Sequence, residues 1–194
     1  MRNAIIFIDI QNDLIDGLLK NYQAMDVAPN FIHYAEKLKQ KIMKSEVIED
    51  VLFCTQQTHK KTISLLHNQM GYVNTLKAKR NIPEHCVIGT YGWLIYKHFY
   101  NAIGGYCTLL QKDTYAYKYW DDYLEDCDTI KICGLYTDTS VLSNAVLIRT
   151  IYPEKPISII SNLCVGTTPQ KHEYALESMK SLLIDVETVD INVS

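Results

Sequence analysis

The chain has no C-x-x-C pair, no excess of basic residues, no apolar run of membrane-spanning length and no internal repeat. Each absence removes a class of protein. The six cysteines (54, 86, 107, 127, 133 and 164) are scattered, several of them in apolar runs where a free thiol behaves as a small hydrophobe. A disulfide scaffold is therefore not expected. Nineteen basic side chains against 22 acidic ones leave a net charge of −3, which offers phosphate no counter-charge and argues against a nucleic-acid partner. The longest apolar runs, Ala4–Ile8 and Ile157–Ile160, fall well short of the ~20 residues of a membrane helix. The first of them stops at Asp9 and lacks a small-residue cleavage site, so no signal peptide is expected and the expected location is cytoplasmic. No Pro/Gly-rich linker or low-complexity tract interrupts the 194 residues, and at ~100–200 residues per domain a single domain spanning 1–194 is expected.

What the chain does have is alternation. Ala4–Asp9 is apolar and bounded by polar residues, as in a strand buried on both faces. From Pro29 to Lys44, residues Phe31, Ile32, Ala35, Leu38, Ile42 and Met43 recur at helical spacing. Further strands read at Val51–Cys54, Cys107–Lys112, Thr129–Cys133, Ile157–Ser161 and Leu183–Val189, with a helix from about Thr139 to Thr150. Pro169 suits the first turn of a last helix, where its missing N–H is unpaired anyway. Strands alternating with helices predict right-handed crossovers and a mostly parallel, Rossmann-like sheet in a three-layer α/β/α fold.

In such sheets ligands lie beyond the carboxyl ends of the strands. The polar residues there are Asp9, the segment Thr55 to His59, Lys112 and the segment Tyr136 to Ser140. Asp9 fits two roles, a turn cap or a general base. Lys112 is either a solvated lysine or the partner of Asp9 in a dry crevice. Thr137 and Asp138 are good N-cap residues, and Ser140 then falls in the first helical turn, where backbone N–H groups favour negative charge. No Gly-x-Ser-x-Gly elbow surrounds it. His59 and His85 flank a long irregular segment, Thr58 to about Asn101, that contains Gly71, Pro83, Gly89 and Gly92 and reads as a binding wall. With a carboxylate the two histidines suggest a zinc site, but the nearby third group is the amide of Gln57.

Together these pieces resemble the isochorismatase-like superfamily of cysteine hydrolases, nicotinamidase-like amidases above all. Ile5 to Leu14 (IIFIDIQNDL) is similar to the opening strand, Thr55-Gln56-Gln57-Thr58-His59 to a Thr-x-Asp-x-His segment, and His85 to Trp93 to a His-Cys-Val-x-Gly-Thr-x-Gly signature. Gly134 to Val141 is similar to a Gly-Leu-x-Thr-Asp-x-Cys-Val turn, and Asn162-Leu163-Cys164 with His172 to Leu176 to the last crossover. The resemblance implies catalytic roles for Asp9, Lys112 and position 140. It also implies an oxyanion hole from the N–H groups of Tyr136 and Ser140, and a cis Leu135–Tyr136 bond. It further implies hydrolysis of a small amide through a covalent acyl intermediate, on a nicotinamide-like ring near Trp93, in a homo-oligomer without nucleic-acid or membrane partners.

Two positions depart from that pattern. The nucleophile position holds Ser140 instead of cysteine, and the first metal position holds Gln57 instead of aspartate. No cofactor is expected, because Gln57 weakens any zinc site built on His59 and His85; Gln57 is instead placed to bind substrate or water. Three readings of Ser140 stay open: an engineered replacement, a natural weak nucleophile, or a pseudoenzyme that binds without turnover. A vinyl-ether hydrolase of the isochorismatase type is a further alternative, although its dianionic substrate needs basic pocket residues that the sequence does not place.

Overall fold

The computed structural model describes residues 1–44, 50–61 and 82–191. Six parallel strands form one sheet in the order β3-β2-β1-β4-β5-β6. They are β1 (Asn3–Ile8), β2 (Asp50–Gln57), β3 (Cys107–Lys112), β4 (Thr129–Leu135), β5 (Ile157–Val165) and β6 (Asp185–Glu187). The helices are α1 (Asn12–Ile15), α2 (Tyr22–Lys44), α3 (Lys97–Ile103), α4 (Asp121–Leu124), α5 (Leu142–Ile151) and α6 (Pro169–Lys180). They cover both faces of the sheet, giving the three-layer α/β/α fold expected from the alternation. The sheet is parallel throughout, as right-handed crossovers require.

β1 is the central strand, and residues 4–8 are all buried because helices lie on both sides. On one face Phe7 packs on Phe99 of α3 and Tyr34 of α2, with ring centroids 4.9 and 6.1 Å apart. The chain runs outward from β1 through β2 to β3 and then crosses back to place β4 on the other side of β1, so the order reverses between β1 and β4. In open parallel sheets such a reversal is where ligands bind, beyond the carboxyl ends of the strands. Register places Phe7 between Cys54 and Cys133, Ile8 beside Gly134, and Gln57 beside Lys112. Gly134 has φ 126°, and a Cβ there would sit 2.2 Å from the Ile8 carbonyl oxygen. Only glycine lets β4 approach β1 this closely just before the turn that carries Ser140.

Several boundaries differ from the sequence reading. α2 begins at Tyr22, seven residues before Pro29, and Pro29 lies in its interior. The missing N–H forfeits the bond to the Met25 carbonyl, and burial of Ala24, Ala28, Phe31, Ala35 and Leu38 along one stripe outweighs that loss. β2 runs three residues past Cys54, so Thr55, Gln56 and Gln57 belong to the strand. The closing strand is shorter than expected, because Leu183 turns the chain at φ 57°. The binding wall expected over residues 58–101 lies partly outside the described residues, which exclude 62–81 and Gly71 with them.

Candidate active site

Three strand ends deliver the site. Asp9 follows β1 in a left-handed conformation, φ 52°, unusual for a residue with a side chain and typical of positions that a site holds in place. Its N–H donates to the Thr55 carbonyl, and the Thr55 hydroxyl donates to Asp9 Oδ1 at 2.7 Å. Lys112, the last residue of β3, donates from Nζ to Asp9 Oδ2 at 2.6 Å. The same ammonium reaches the Thr114 carbonyl at 3.2 Å and Ser140 Oγ at 3.5 Å. Asp9 and Ser140 are fully buried and Lys112 is 5% exposed. The ammonium therefore bridges carboxylate and hydroxyl in a dry crevice, where charge-assisted bonds are strong and a lost partner is costly.

The turn between β4 and α5 aims Ser140. The Leu135–Tyr136 peptide bond is cis. Val141 N–H donates to the Tyr136 carbonyl five residues back, and Thr139 N–H donates to it as well, each at 3.1 Å. The helix proper starts only at Leu142, three residues later than the sequence reading placed it. Such one-turn π widenings recur at functional sites because they redirect a single side chain. Asn144 locks the turn: its Nδ2 donates to the Ser140 carbonyl at 2.7 Å, and its Oδ1 accepts from Trp120 Nε1 and Tyr117 N–H. Tyr136 adds a hydroxyl bond to the Leu14 carbonyl at 2.7 Å. The Thr137 hydroxyl lies 2.8 Å from His172 Nδ1 of α6, and burial lowers the pKa of that imidazole.

Gln57 closes the crevice on the β2 side. Its Nε2 donates to Ser140 Oγ at 3.1 Å, and its Oε1 is buried without a hydrogen-bond partner among the described residues. Gln11 pins the Gln57 backbone by accepting from its N–H and donating to its carbonyl. Gln11 and Gln56 both donate to the Trp93 carbonyl, at 2.7 and 2.8 Å, while the Trp93 indole N–H donates to the Thr58 hydroxyl. Trp93 is thus anchored against the strand that carries Gln57. The loop around His85 is tied to the same edge, since Cys86 N–H donates to buried Asp13 Oδ2 and His59 N–H to the Cys86 carbonyl.

Three thiols buried in the sheet do not stand in for the nucleophile. Burial pushes Cys54 and Cys133 well above the ordinary thiol range and Cys164 up to about 12, as an apolar surround does to any thiolate. A zinc centre does not fit the described residues either. The His59 and His85 rings meet edge-on with centroids 5.1 Å apart, and His85 Nδ1 is 2.9 Å from the Pro83 carbonyl. The third side chain is an amide bound to Ser140, and no group of three His, Cys, Asp or Glu side chains is gathered among the described residues. A catalytic zinc needs three good protein ligands.

The structure brings Asp9, Lys112, Ser140 and Gln57 into direct contact and ties Trp93 to the strand that carries Gln57; the His59 and His85 rings pack against each other. Sequence reading missed Thr55 as the second partner of Asp9, and Asn144, whose polar side chain inside the apolar run Val141–Val146 was the available signal.

A carboxylate, an ammonium and a hydroxyl thus meet at the switch point of a parallel α/β/α sheet. Residues 3–191 match the isochorismatase domain, and the chain belongs to that family. No curated protein matches the chain by sequence. Among solved structures it is similar to the nicotinamidase/pyrazinamidase of Bacillus subtilis (22% identity over 96% of this chain and 100% of that one, TM-score 0.74). It is also similar to the pyrazinamidase of Pyrococcus horikoshii, solved in complex with zinc (20% identity over 97% and 100%, TM-score 0.73). A third is the N-carbamoylsarcosine amidase of Thermoplasma acidophilum (18% identity over 100% and 99%, TM-score 0.67).

Proposed function

We propose that the protein hydrolyses a small primary amide through an acyl-Ser140 intermediate. One observation carries the reading: Lys112 Nζ touches both Asp9 Oδ2 and Ser140 Oγ, all three groups being buried. Asp9 takes the hydroxyl proton as Ser140 Oγ bonds to the amide carbonyl carbon. The resulting oxyanion rests on the N–H groups of Tyr136 and Ser140, at the start of the turn. As the C–N bond breaks, Asp9 returns the proton to nitrogen and ammonia leaves. Water then attacks the ester, gives its proton to Asp9, and Ser140 departs reprotonated with release of the carboxylic acid. Lys112 keeps carboxylate and hydroxyl in register throughout. Trp93 supplies an aromatic wall for a nicotinamide-like ring.

A second reading, ligand binding without turnover, is favoured by the engagement of Ser140 Oγ with two donors and of both Asp9 oxygens with partners. A hydroxyl is also a far harder group to ionise than a thiol. Ammonia release from nicotinamide and a panel of small amides separates the two. The hydrolase reading expects measurable turnover that Ser140→Ala abolishes. It expects Ser140→Cys to raise turnover beyond the ~10²–10³ that one oxyanion donor supplies, because a thiol beside Lys112 ionises readily. No turnover in either form, with a ligand still bound, establishes the second reading.

A further inference from the structure

We infer that Gln57 Oε1 is the group that recognises the ligand's own N–H, so that the crevice selects a primary carboxamide over carbonyl compounds of the same shape. The inference rests on the reading that a small amide occupies the site, and it adds which atom reads that amide and by what chemistry.

Gln57 is 7% exposed, and its side chain is aimed at the reacting centre because Nε2 is bonded to Ser140 Oγ at 3.1 Å. The other end of the same planar amide, Oε1, is buried and has no hydrogen-bond partner among the described residues. Buried carbonyl oxygens are seldom left without a donor, so such an atom points to a partner that arrives with the ligand. Gln11 holds the Gln57 backbone on both sides, with its Oε1 accepting from the Gln57 N–H at 2.8 Å and its Nε2 donating to the Gln57 carbonyl at 2.9 Å.

The neighbouring groups offer Oε1 no donor of their own. Lys112 carries only donors, and three of its contacts are already made, to Asp9, Thr114 and Ser140. Asp9 accepts from Thr55 and Lys112. Gln57 Oε1 is thus an acceptor beside Ser140 that still lacks a donor. A carbonyl carbon in reach of Ser140 Oγ carries its substituents past this atom. A carboxamide –NH₂ supplies the missing N–H; a methyl ketone of equal size leaves Oε1 desolvated and unpaired, a loss of roughly 10–100-fold in affinity.

The test uses the intact chain and two probes of matched shape, benzamide and acetophenone, with equilibrium binding measured by calorimetry. Wild type should bind benzamide roughly 10–100-fold more tightly. Gln57→Glu keeps an acceptor at this position and should retain the preference. Gln57→Met removes it, and the ratio should fall to about one. A ratio that survives Gln57→Met, or that Gln57→Glu abolishes as fully as Gln57→Met, overturns the inference. So does equal or tighter binding of acetophenone by wild type, a measurement that stands even if a variant fails to fold. The readout needs no turnover. A ratio intact without ammonia release defeats the hydrolase reading alone, turnover without the ratio defeats this inference alone, and failure to bind either probe defeats both.

Discussion

Replacing Lys112 by methionine is the most informative perturbation of the fold, because it strips one charge from a buried pair and leaves the other. The side chains of Lys112 and Asp9 are 2% and 0% exposed, and their 2.6 Å contact lies beneath two strand ends. The carboxylate keeps its Thr55 hydroxyl bond but loses its counter-charge, and the Thr114 carbonyl loses a donor. An uncompensated buried charge costs about 3–5 kcal/mol, whereas an exposed pair contributes about 0–1 kcal/mol. Lys112→Met should therefore destabilise the chain by about 3–5 kcal/mol. Adding Asp9→Asn removes the orphaned charge, and the double variant should recover about 2–3 kcal/mol of that loss. Urea unfolding followed by circular dichroism and by tryptophan fluorescence measures all three forms, and coincident transitions validate two-state treatment. A cost below about 1 kcal/mol for Lys112→Met would show that the pair is solvated, and the dry-crevice description would be wrong.

Thr55→Val removes the hydroxyl donor to Asp9 Oδ1 with little change in shape, and urea unfolding should show a loss of about 1.5–3 kcal/mol. His172 has its pKa lowered from 6.5, chiefly by burial and against the opposing pull of Glu173 and Asp138. The unfolded chain therefore takes up this proton at a higher pH than the folded one. Stability should fall as pH drops below the unfolded value of 6.5, and His172→Gln should lack that part of the decline in a comparison of unfolding midpoints. Purified protein should hold well under one zinc per chain by elemental analysis, since His59, His85 and the Gln57 amide supply fewer than three good ligands. Near-stoichiometric zinc would contradict that donor count.

The legible parts of the molecule were those where one physical rule dominates. Position alone put Asp9 and Lys112 on the ligand side, because a polar residue ending an apolar strand of a parallel sheet falls where ligands bind, but it left a turn cap and a solvated lysine open until the 2.6 Å contact joined them. The end of β2 was not legible. Thr55, Gln56 and Gln57 are polar yet buried, tied through Asp9, Trp93 and Gln11 with Gln57 Oε1 left over, and composition cannot show partners that are distant in sequence. The start of α2 was hidden for another reason. Ala24 and Ala28 extend the buried stripe but carry little hydrophobic signal, and Pro29 reads locally as a helix start. The wide turn at Ser140 and the Asn144 lock depend on tertiary hydrogen bonds, so the serine's position could be read but not its aim.

The central claim is that Ser140, and no other group, becomes acylated. Acid-quenched mass spectrometry of wild-type protein mixed with a small aromatic amide tests it directly, with peptide mapping of the tryptic fragment 132–149. An acyl mass increment on Ser140, absent from Ser140→Ala and lost again as ammonia and acid accumulate, is the predicted result. Ammonia release that persists in Ser140→Ala, or an adduct mapped to any other residue, would contradict the account.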